Sequence, residues 1–304
     1  MEAIIRRIRE LKKEKDVVIL AHYYTDGQIQ ALADYVGDSY YLSKIATEVS
    51  QNTILFCGVS FMGESAKILN PKKTVIMPDS YADCPMAHMA DTDKIKEIRE
   101  TYEDVAVVCY INSTAEIKAN SDVCVTSANA IKIVKALPNQ NIYFIPDGNL
   151  GRYVANMVPE KNIIINDGFC HVHTSIKRKN IEKAKEVYPE ALVLAHPECT
   201  WDVLEIADYI GSTSGIIEFA TKSTSCSFII CTEMGVLYEL EMKNPNKKFY
   251  SVGHRQFCPN MKRITAEKVL EQLETINHVV ELKEELSKRA NNALVRMLEL
   301  ASWR

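Results

Sequence analysis

The chain has 304 residues, a formal net charge of -4 and 47% hydrophobic residues, a composition normal for a globular protein with a buried core. The mild acidity argues against a nucleic-acid partner, which would need a clustered basic face. No apolar run approaches the roughly 18 residues of a membrane helix, and residues 1–7 contain no apolar signal core. We therefore expect a cytoplasmic protein that binds neither nucleic acid nor membranes.

Three units of similar sequence follow one another along the chain, and four segments recur in each of them at nearly constant spacing. In each unit an amphipathic helix comes first. A strand rich in valine and isoleucine follows, then a helix, a short strand, a helix, a strand, a helix and a last strand. The opening helices are expected at residues 4–15, 94–102 and 181–188, and the first strands at residues 17–22, 105–110 and 192–196.

Continuous apolar strands that alternate with helices are typical of a parallel sheet covered by helices on both faces. We therefore expect an α/β fold of three homologous αβα sandwich domains around a pseudo-threefold axis. The expected domains are residues 1–85, 86–172 and 173–264. Residues 265–304 are expected to form two helices, at 266–275 and from 281 to about 302. Thr265 caps the first of them, and both pack back on the first domain.

Nine cysteines occur, and in a cytoplasmic chain they serve packing, metal binding or catalysis more often than disulfides. Four lie inside apolar strand-like runs and are expected to be small buried residues: Cys57, Cys109, Cys124 and Cys231. Cys199 and Cys226 are assigned to neither group. Cys84, Cys170 and Cys258 differ because each follows the last strand of a unit, and they are 86 and 88 residues apart.

Three cysteines that converge from three loops form an incomplete tetrahedral set. A structural zinc site normally has four ligands and takes cysteines from CxxC pairs, which this chain lacks. A [4Fe–4S] cluster held by three thiolates keeps one iron open as a Lewis acid. The spacing favours this cluster on Cys84, Cys170 and Cys258, while a zinc site and three unrelated cysteines stay open as alternatives.

Polar side chains are expected at the carboxyl ends of the first two strands of each unit, where ligands of open parallel sheets bind. They occur at residues 22–24, 110–114 and 196–199 after the first strands, and at Ser39, Ser127, Ser212 and Thr213 after the second strands. The hydroxyl groups suit a small polyanionic substrate. His22 and His196 can donate to a carboxylate or move protons, Glu198 is a candidate general base, and Tyr110 is a weak acid.

Ten short motifs occur in a fixed order that is more specific than any one of them. They are LAHYY at residues 20–24, ADYVGDS at 33–39, CPMA at 84–87, YINSTAE at 110–116, TSANA at 126–130, PDGNLG at 146–151, HPEC at 196–199, GST at 211–213, TEMG at 232–235 and CPNMK at 258–262. Over residues 18–265 the chain resembles the quinolinate synthase family, which acts in NAD biosynthesis from aspartate in bacteria and archaea.

The resemblance implies a condensation of iminoaspartate with dihydroxyacetone phosphate to quinolinate, phosphate and water. It also implies one [4Fe–4S] cluster per chain on Cys84, Cys170 and Cys258, and acid–base roles for Glu198, Tyr24, His196 and Tyr110. The implied substrate-binding residues are His22, Ser39, Tyr110, Ile111, Asn112, Ser127, His173, His196, Pro197, Glu198, Ser212 and Thr213. The enzyme that supplies the unstable imine is a further expected partner.

The chain departs from the family pattern at two places. His171 replaces the proline that usually follows the second cysteine, so that the family's histidine matches His173. Some relatives carry a CxxC near the last ligand, whereas Met261 stands at the matching position here, and no disulfide switch is predicted. Two alternatives remain: an iron–sulfur hydro-lyase acting on another small acid, and a non-catalytic cluster sensor. The second would need an output surface, which the sequence lacks.

Overall fold

The computed structural model describes residues 1–253 and 256–302. This part of the chain contains three four-stranded sheets, and every strand pair within them is parallel. In each sheet the first strand of the unit lies between the short second strand and the third strand, and the fourth strand forms an edge. The predicted α/β class with three αβα units is confirmed.

The first unit alternates helices and strands as predicted. Its helices are α1 (Glu2–Glu14), α2 (Gly27–Gln30), α3 (Ser39–Glu48) and α4 (Ser60–Leu69), and its strands are β1 (Val17–His22), β2 (Tyr35–Gly37), β3 (Thr53–Cys57) and β4 (Thr74–Ile76). Every residue of β1 is buried, which is why this strand reads as an unbroken apolar run. Helix α3 begins at Ser39 because the side chain of Asp38 accepts the backbone N–H of Tyr41.

The second unit repeats this order. Its helices are α5 (Thr92–Thr101), α6 (Ala115–Ala119), α7 (Ala130–Ala136) and α8 (Gly148–Met157), and its strands are β5 (Val105–Tyr110), β6 (Val123–Val125), β7 (Asn141–Ile145) and β8 (Asn162–Ile165). A short 3-10 helix at Pro85–His88 leads into it. The side chain of Asp147 caps α8 by accepting the backbone N–H of Leu150 at 2.7 Å.

The third unit has one additional short helix before its opening helix. Its helices are α9 (His171–Ser175), α10 (Arg178–Val187), α11 (Trp201–Leu204), α12 (Thr213–Lys222) and α13 (Val236–Lys243), and its strands are β9 (Leu192–Ala195), β10 (Tyr209–Ile210), β11 (Ser227–Cys231) and β12 (Lys248–Ser251). Strand β9 ends one residue before the predicted boundary, so His196 already belongs to the loop at the carboxyl end of the sheet.

The tail contacts both of the first two units. A 3-10 helix (Met261–Arg263) precedes α14 (Ala266–Thr275), which Thr265 caps and which packs on α1. The following segment pairs with the edge strand β4, where the N–H of Val280 donates to the carbonyl of Val75 at 2.8 Å. Because of this pairing, α15 (Glu284–Ser302) begins three residues later than predicted. It lies against α4, α6 and β6.

The apolar cores are distributed unevenly over the three units. The first two units and the tail share one continuous core, whereas the third unit has two separate clusters on opposite faces of its sheet. Each sheet falls within one of the expected ranges 1–85, 86–172 and 173–264, and the boundaries themselves stay predictions.

Candidate active site

One buried cavity lies at the carboxyl ends of strands from all three sheets. Thirteen of the predicted site residues line it: His22, Tyr24, Ser39, Cys84, Tyr110, Asn112, Ser127, Cys170, His173, His196, Glu198, Thr213 and Cys258. The other three, Ile111, Pro197 and Ser212, lie outside this lining. Ile111 and Pro197 are buried next to lining residues, and the Ser212 side chain caps α12 by accepting the backbone N–H of Gly215 at 3.1 Å. The repeat therefore brings residues far apart in sequence to one site.

The first and third units meet at the cavity through the backbone around Tyr24. A Cβ added to Gly235 would lie only 2.7 Å from the carbonyl oxygen of Tyr23 and from the Cα of Tyr24, so only glycine allows this approach. The side-chain nitrogen of Gln30 donates to the carbonyls of Tyr23 and Gly235 at 2.8 and 3.0 Å. These contacts fix the position of the Tyr24 phenol.

Glu198 is the centre of the polar network in the cavity. Its Oε1 accepts the hydroxyl of Tyr110 at 2.5 Å, and its Oε2 lies 3.0 Å from Nδ1 of His173. Burial raises the pKa of Glu198, but His173, His196 and Tyr110 together outweigh that effect and hold it below its ordinary value. Burial and the charge of Glu198 raise the pKa of Tyr110 well above the usual range. Glu198 is therefore an ionised acceptor, and Tyr110 keeps its proton.

His22 and His196 occupy equivalent positions and have the same protonation. Nδ1 of His22 accepts the backbone N–H of Tyr24 at 3.1 Å, and Nδ1 of His196 accepts that of Glu198 at 3.3 Å. Burial lowers the pKa of both rings to about 3, so they are neutral. The proton of a neutral ring whose Nδ1 accepts must be on Nε2. In His196 this Nε2 lies 3.1 Å from the hydroxyl oxygen of Ser127.

A second group of hydrogen bonds starts at Tyr24. Its hydroxyl lies 2.8 Å from Oγ1 of Thr213 and 2.8 Å from Oγ1 of Thr232. Oγ1 of Thr232 in turn lies 2.9 Å from Nε2 of His173, whose ring stacks on His196 at 4.7 Å between centroids. Burial and the charge of Glu198 raise the pKa of Tyr24 well above its ordinary value, so this phenol is also protonated. Thr232 was not among the residues predicted from sequence.

The three predicted cysteines line this cavity as free thiols. They are close enough to interact, since burial and Cys258 together raise the pKa of Cys84 to about 12, and burial, Glu198 and Cys84 raise that of Cys170. Thiolates on one tetrahedral zinc ion lie about 2.3 Å from it and hence about 3.8 Å apart. Among the described residues, the group of ligand atoms that lie within 4.8 Å of one another includes Cys170 but neither Cys84 nor Cys258. A cluster whose irons are bound by different thiolates has no such requirement, so the donor set fits an iron–sulfur cluster better than one zinc ion.

A different set of atoms has the spacing of a single-ion site. The ligand atoms of Cys170, His173 and Glu198 all lie within 4.8 Å of one another. Nδ1 of His173 is 3.2 Å from the Cys170 sulfur and 3.0 Å from Glu198 Oε2, so its one proton is shared between two acceptors. Cys170 therefore links the cysteine set to the acid–base network.

Carboxylates hold two of the cysteine loops. Oδ1 of Asp83 accepts the backbone N–H of Cys84 at 2.8 Å, and Oε1 of Glu233 accepts that of Cys258 at 2.9 Å. Glu233 is buried, lines the cavity and also accepts the N–H of Gly235 at 2.6 Å. Sequence reasoning did not assign Glu233. The available signal was its position after the third strand of its unit, which Asp147 occupies in the second unit.

The remaining cysteines and His171 lie outside this arrangement. The four cysteines predicted to be buried are fully buried. Cys199 is also buried and its thiol lies 3.3 Å from the carbonyl of Cys231, whereas Cys226 is exposed. His171 lines a surface pocket together with Lys177, and it does not line the cavity. Of the described residues, none belongs to a helix long and apolar enough to cross a bilayer.

Three parallel-sheet units around a buried network of carboxylate, imidazole and phenol groups define an α/β enzyme. The sequence model of NadA, the quinolinate synthetase A protein, matches residues 6–299. A quinolinate synthase of Fusobacterium nucleatum is 55% identical over 295 residues, covering 97% of this chain and 98% of the relative. Those of Caldicellulosiruptor saccharolyticus and Clostridioides difficile are 50% and 49% identical, covering 99% and 97% of each chain. The chain belongs to the quinolinate synthase family.

Proposed function

We propose that this protein condenses iminoaspartate with dihydroxyacetone phosphate to give quinolinate, phosphate and water, as a step of NAD biosynthesis. The observation that carries the proposal is the convergence of three cysteines and the Glu198 network on one cavity. Membership of the quinolinate synthase family supports the same reaction.

The proposed cofactor is one [4Fe–4S] cluster per chain, held by Cys84, Cys170 and Cys258. When bound, a cluster with three thiolate ligands supplies an open iron that polarises a substrate hydroxyl or carboxylate for loss of water. The donor set supports this choice because three free thiols from three units line one cavity.

The proposed acid–base roles agree with the protonation of each group. Glu198 is ionised and accepts a proton from the substrate. Tyr24 and Tyr110 are protonated and donate to leaving oxygen atoms. His196, which is neutral, stabilises developing negative charge through its Nε2 proton without carrying a charge of its own.

The remaining polar groups of the cavity suit a substrate with carboxylates and a phosphate. Ser39 and Thr213 begin α3 and α12, whose first N–H groups favour anions. His22 and Ser127 supply further donors. Oδ1 of Asn112 is buried and has no hydrogen-bond partner among the described residues, so it is available to a substrate N–H or O–H group. Ile111, Pro197 and Ser212 belong to the proposed binding set as neighbours in sequence of lining residues.

The proposed setting is the cytoplasm, where a reducing environment keeps nine cysteines and a cluster intact. Because iminoaspartate is unstable, the enzyme that produces it is a proposed partner. The domains at residues 1–85, 86–172 and 173–264 are part of the same proposal. The tail at 265–304 is assigned to the first domain in it, although α15 also lies against α6 and β6 of the second.

The test is to purify the protein without oxygen and to measure iron, sulfide and quinolinate formation. We expect about four iron atoms and four sulfides per chain with a broad absorption band near ~400 nm, and quinolinate that depends on both substrates. A loaded protein that dehydrates a small acid without dihydroxyacetone phosphate would instead be a hydro-lyase. Protein that contains only zinc, or no metal, would contradict the proposed cofactor.

A further inference from the structure

Thr232 lies directly after β11, is fully buried and does not line the cavity. Its hydroxyl nevertheless joins two residues that do. Oγ1 of Thr232 is 2.8 Å from the hydroxyl of Tyr24 and 2.9 Å from Nε2 of His173. These partners are 208 and 59 residues away in sequence, so the threonine connects the first unit with α9, the short helix that follows Cys170.

The other face of this arrangement is the hydrogen bond between His173 and the ionised carboxylate of Glu198. That carboxylate can only accept, so Nδ1 of His173 carries a proton and donates to it at 3.0 Å. The other ring nitrogen, Nε2, lies 2.9 Å from the hydroxyl oxygen of Thr232. The same hydroxyl oxygen lies 2.8 Å from the hydroxyl of Tyr24, and either of the two can donate. A single hydroxyl thus bridges the His173 ring and the Tyr24 phenol.

We propose that Thr232 is a positioning residue for the reaction: it holds the His173 ring against Glu198 and holds the Tyr24 phenol in the cavity. The proposal rests on the proposed function, which makes Tyr24 and His173 part of the reaction site. Without the Thr232 hydroxyl, the His173 ring keeps its contact with Glu198 but loses its partner at Nε2, and the Tyr24 phenol keeps only Thr213 as a hydroxyl partner. Both side chains are then free to turn away from these positions.

The variants Thr232→Val and Thr232→Ser separate the hydroxyl from the shape of the side chain. Valine keeps the volume and removes the hydrogen bonds, while serine keeps the hydroxyl. Loss of such a supporting partner commonly costs 10–100-fold in activity, so we expect about that loss of kcat in Thr232→Val, with KM within about twofold. Serine is expected to restore most of the loss.

Thr221→Val is the matched control. Thr221 is also in the third unit, and its Oγ1 also has two polar partners, the carbonyl of Ile217 and the side chain of Asn244. Neither partner lines the cavity, so this variant is expected to keep the wild-type kcat. A Thr232→Val enzyme as active as the wild type, or a Thr232→Ser enzyme as impaired as Thr232→Val, would overturn the proposal.

A second measurement does not depend on the substrate. Histidine ring ¹⁵N NMR of the cluster-loaded protein reports which nitrogen carries the proton. We expect His173 to carry it on Nδ1 in the wild type, and the Nε2 signal to shift in Thr232→Val but not in Thr221→Val. An unchanged His173 signal would reject the positioning role even if the wild type makes no quinolinate. Absence of quinolinate from wild type with the expected signals would reject the proposed function alone.

Discussion

Replacement of Glu198 by glutamine is expected to stop turnover and leave the cluster in place. The carboxylate accepts from Tyr110 on one oxygen and from His173 on the other, at 2.5 and 3.0 Å. Glutamine has one acceptor oxygen and an NH₂ group that only donates. Its NH₂ must therefore face either the Tyr110 hydroxyl or the His173 proton, so at least one charged hydrogen bond is lost. Such a bond contributes about 1.5–3 kcal/mol.

The expected loss of activity is larger than this single bond implies. Glutamine also removes the ionised carboxylate that contacts Tyr110 and His173, and general base catalysis typically contributes about 10²–10⁴-fold. We therefore expect quinolinate formation, followed by chromatography, to fall at least about 100-fold. Iron and sulfide should stay near four per chain, because Glu198 is outside the three-cysteine set.

A surface glutamate of the same unit provides the control. Glu190 is exposed, and Glu190→Gln should behave as the wild type. If Glu198→Gln kept activity within about threefold of the wild type with full iron content, Glu198 would have no part as a general base and the reasoning from its contacts would be refuted.

Three further outcomes are expected. Gly235→Ala forces the adjacent backbone away and should lower kcat at least about tenfold, whereas Gly253→Ala, whose added Cβ has its nearest neighbour at 3.8 Å, should not. Cys170→Ser should lose the iron that the exposed Cys226→Ser variant retains, and equal iron contents would contradict the ligand assignment. Burial lowers the pKa of His22 to about 3, so below pH ~6.5 the unfolded chain binds a proton that the folded chain does not. From pH 8 to pH 5, the free energy of unfolding measured in urea should then fall by about 2 kcal/mol more in the wild type than in His22→Gln. If the two proteins differed by the same amount at both pH values, a neutral buried ring would be excluded.

The repeat in the sequence predicts the fold well because burial on both faces leaves an unbroken apolar run. Strands β1 and β5 occupy the predicted residues for this reason. Helix α15 starts later than predicted, because residues 279 and 280 pair with the edge strand β4. Nothing local in that segment indicates the pairing, which depends on a strand about 200 residues earlier.

The sequence predicts those site residues that stand out as unusual polar residues at the end of a strand, such as His22 and Glu198. Thr232 and Glu233 follow a strand in the same way, but their roles come from distant partners. Thr232 acts on Tyr24, and Glu233 holds the backbone of Cys258. A threonine or glutamate beside a buried strand has many structural uses, so only the three-dimensional arrangement distinguishes these two.

The most direct test of the central claim is an anomalous-scattering map recorded at the iron edge from crystals grown without oxygen. The account predicts one multi-iron peak bonded to the sulfur atoms of Cys84, Cys170 and Cys258, with one iron free of protein ligands and facing the cavity. A single-ion peak on Cys170, His173 and Glu198 would contradict it, because the acid–base network would then be a metal site and could not supply the proposed general base.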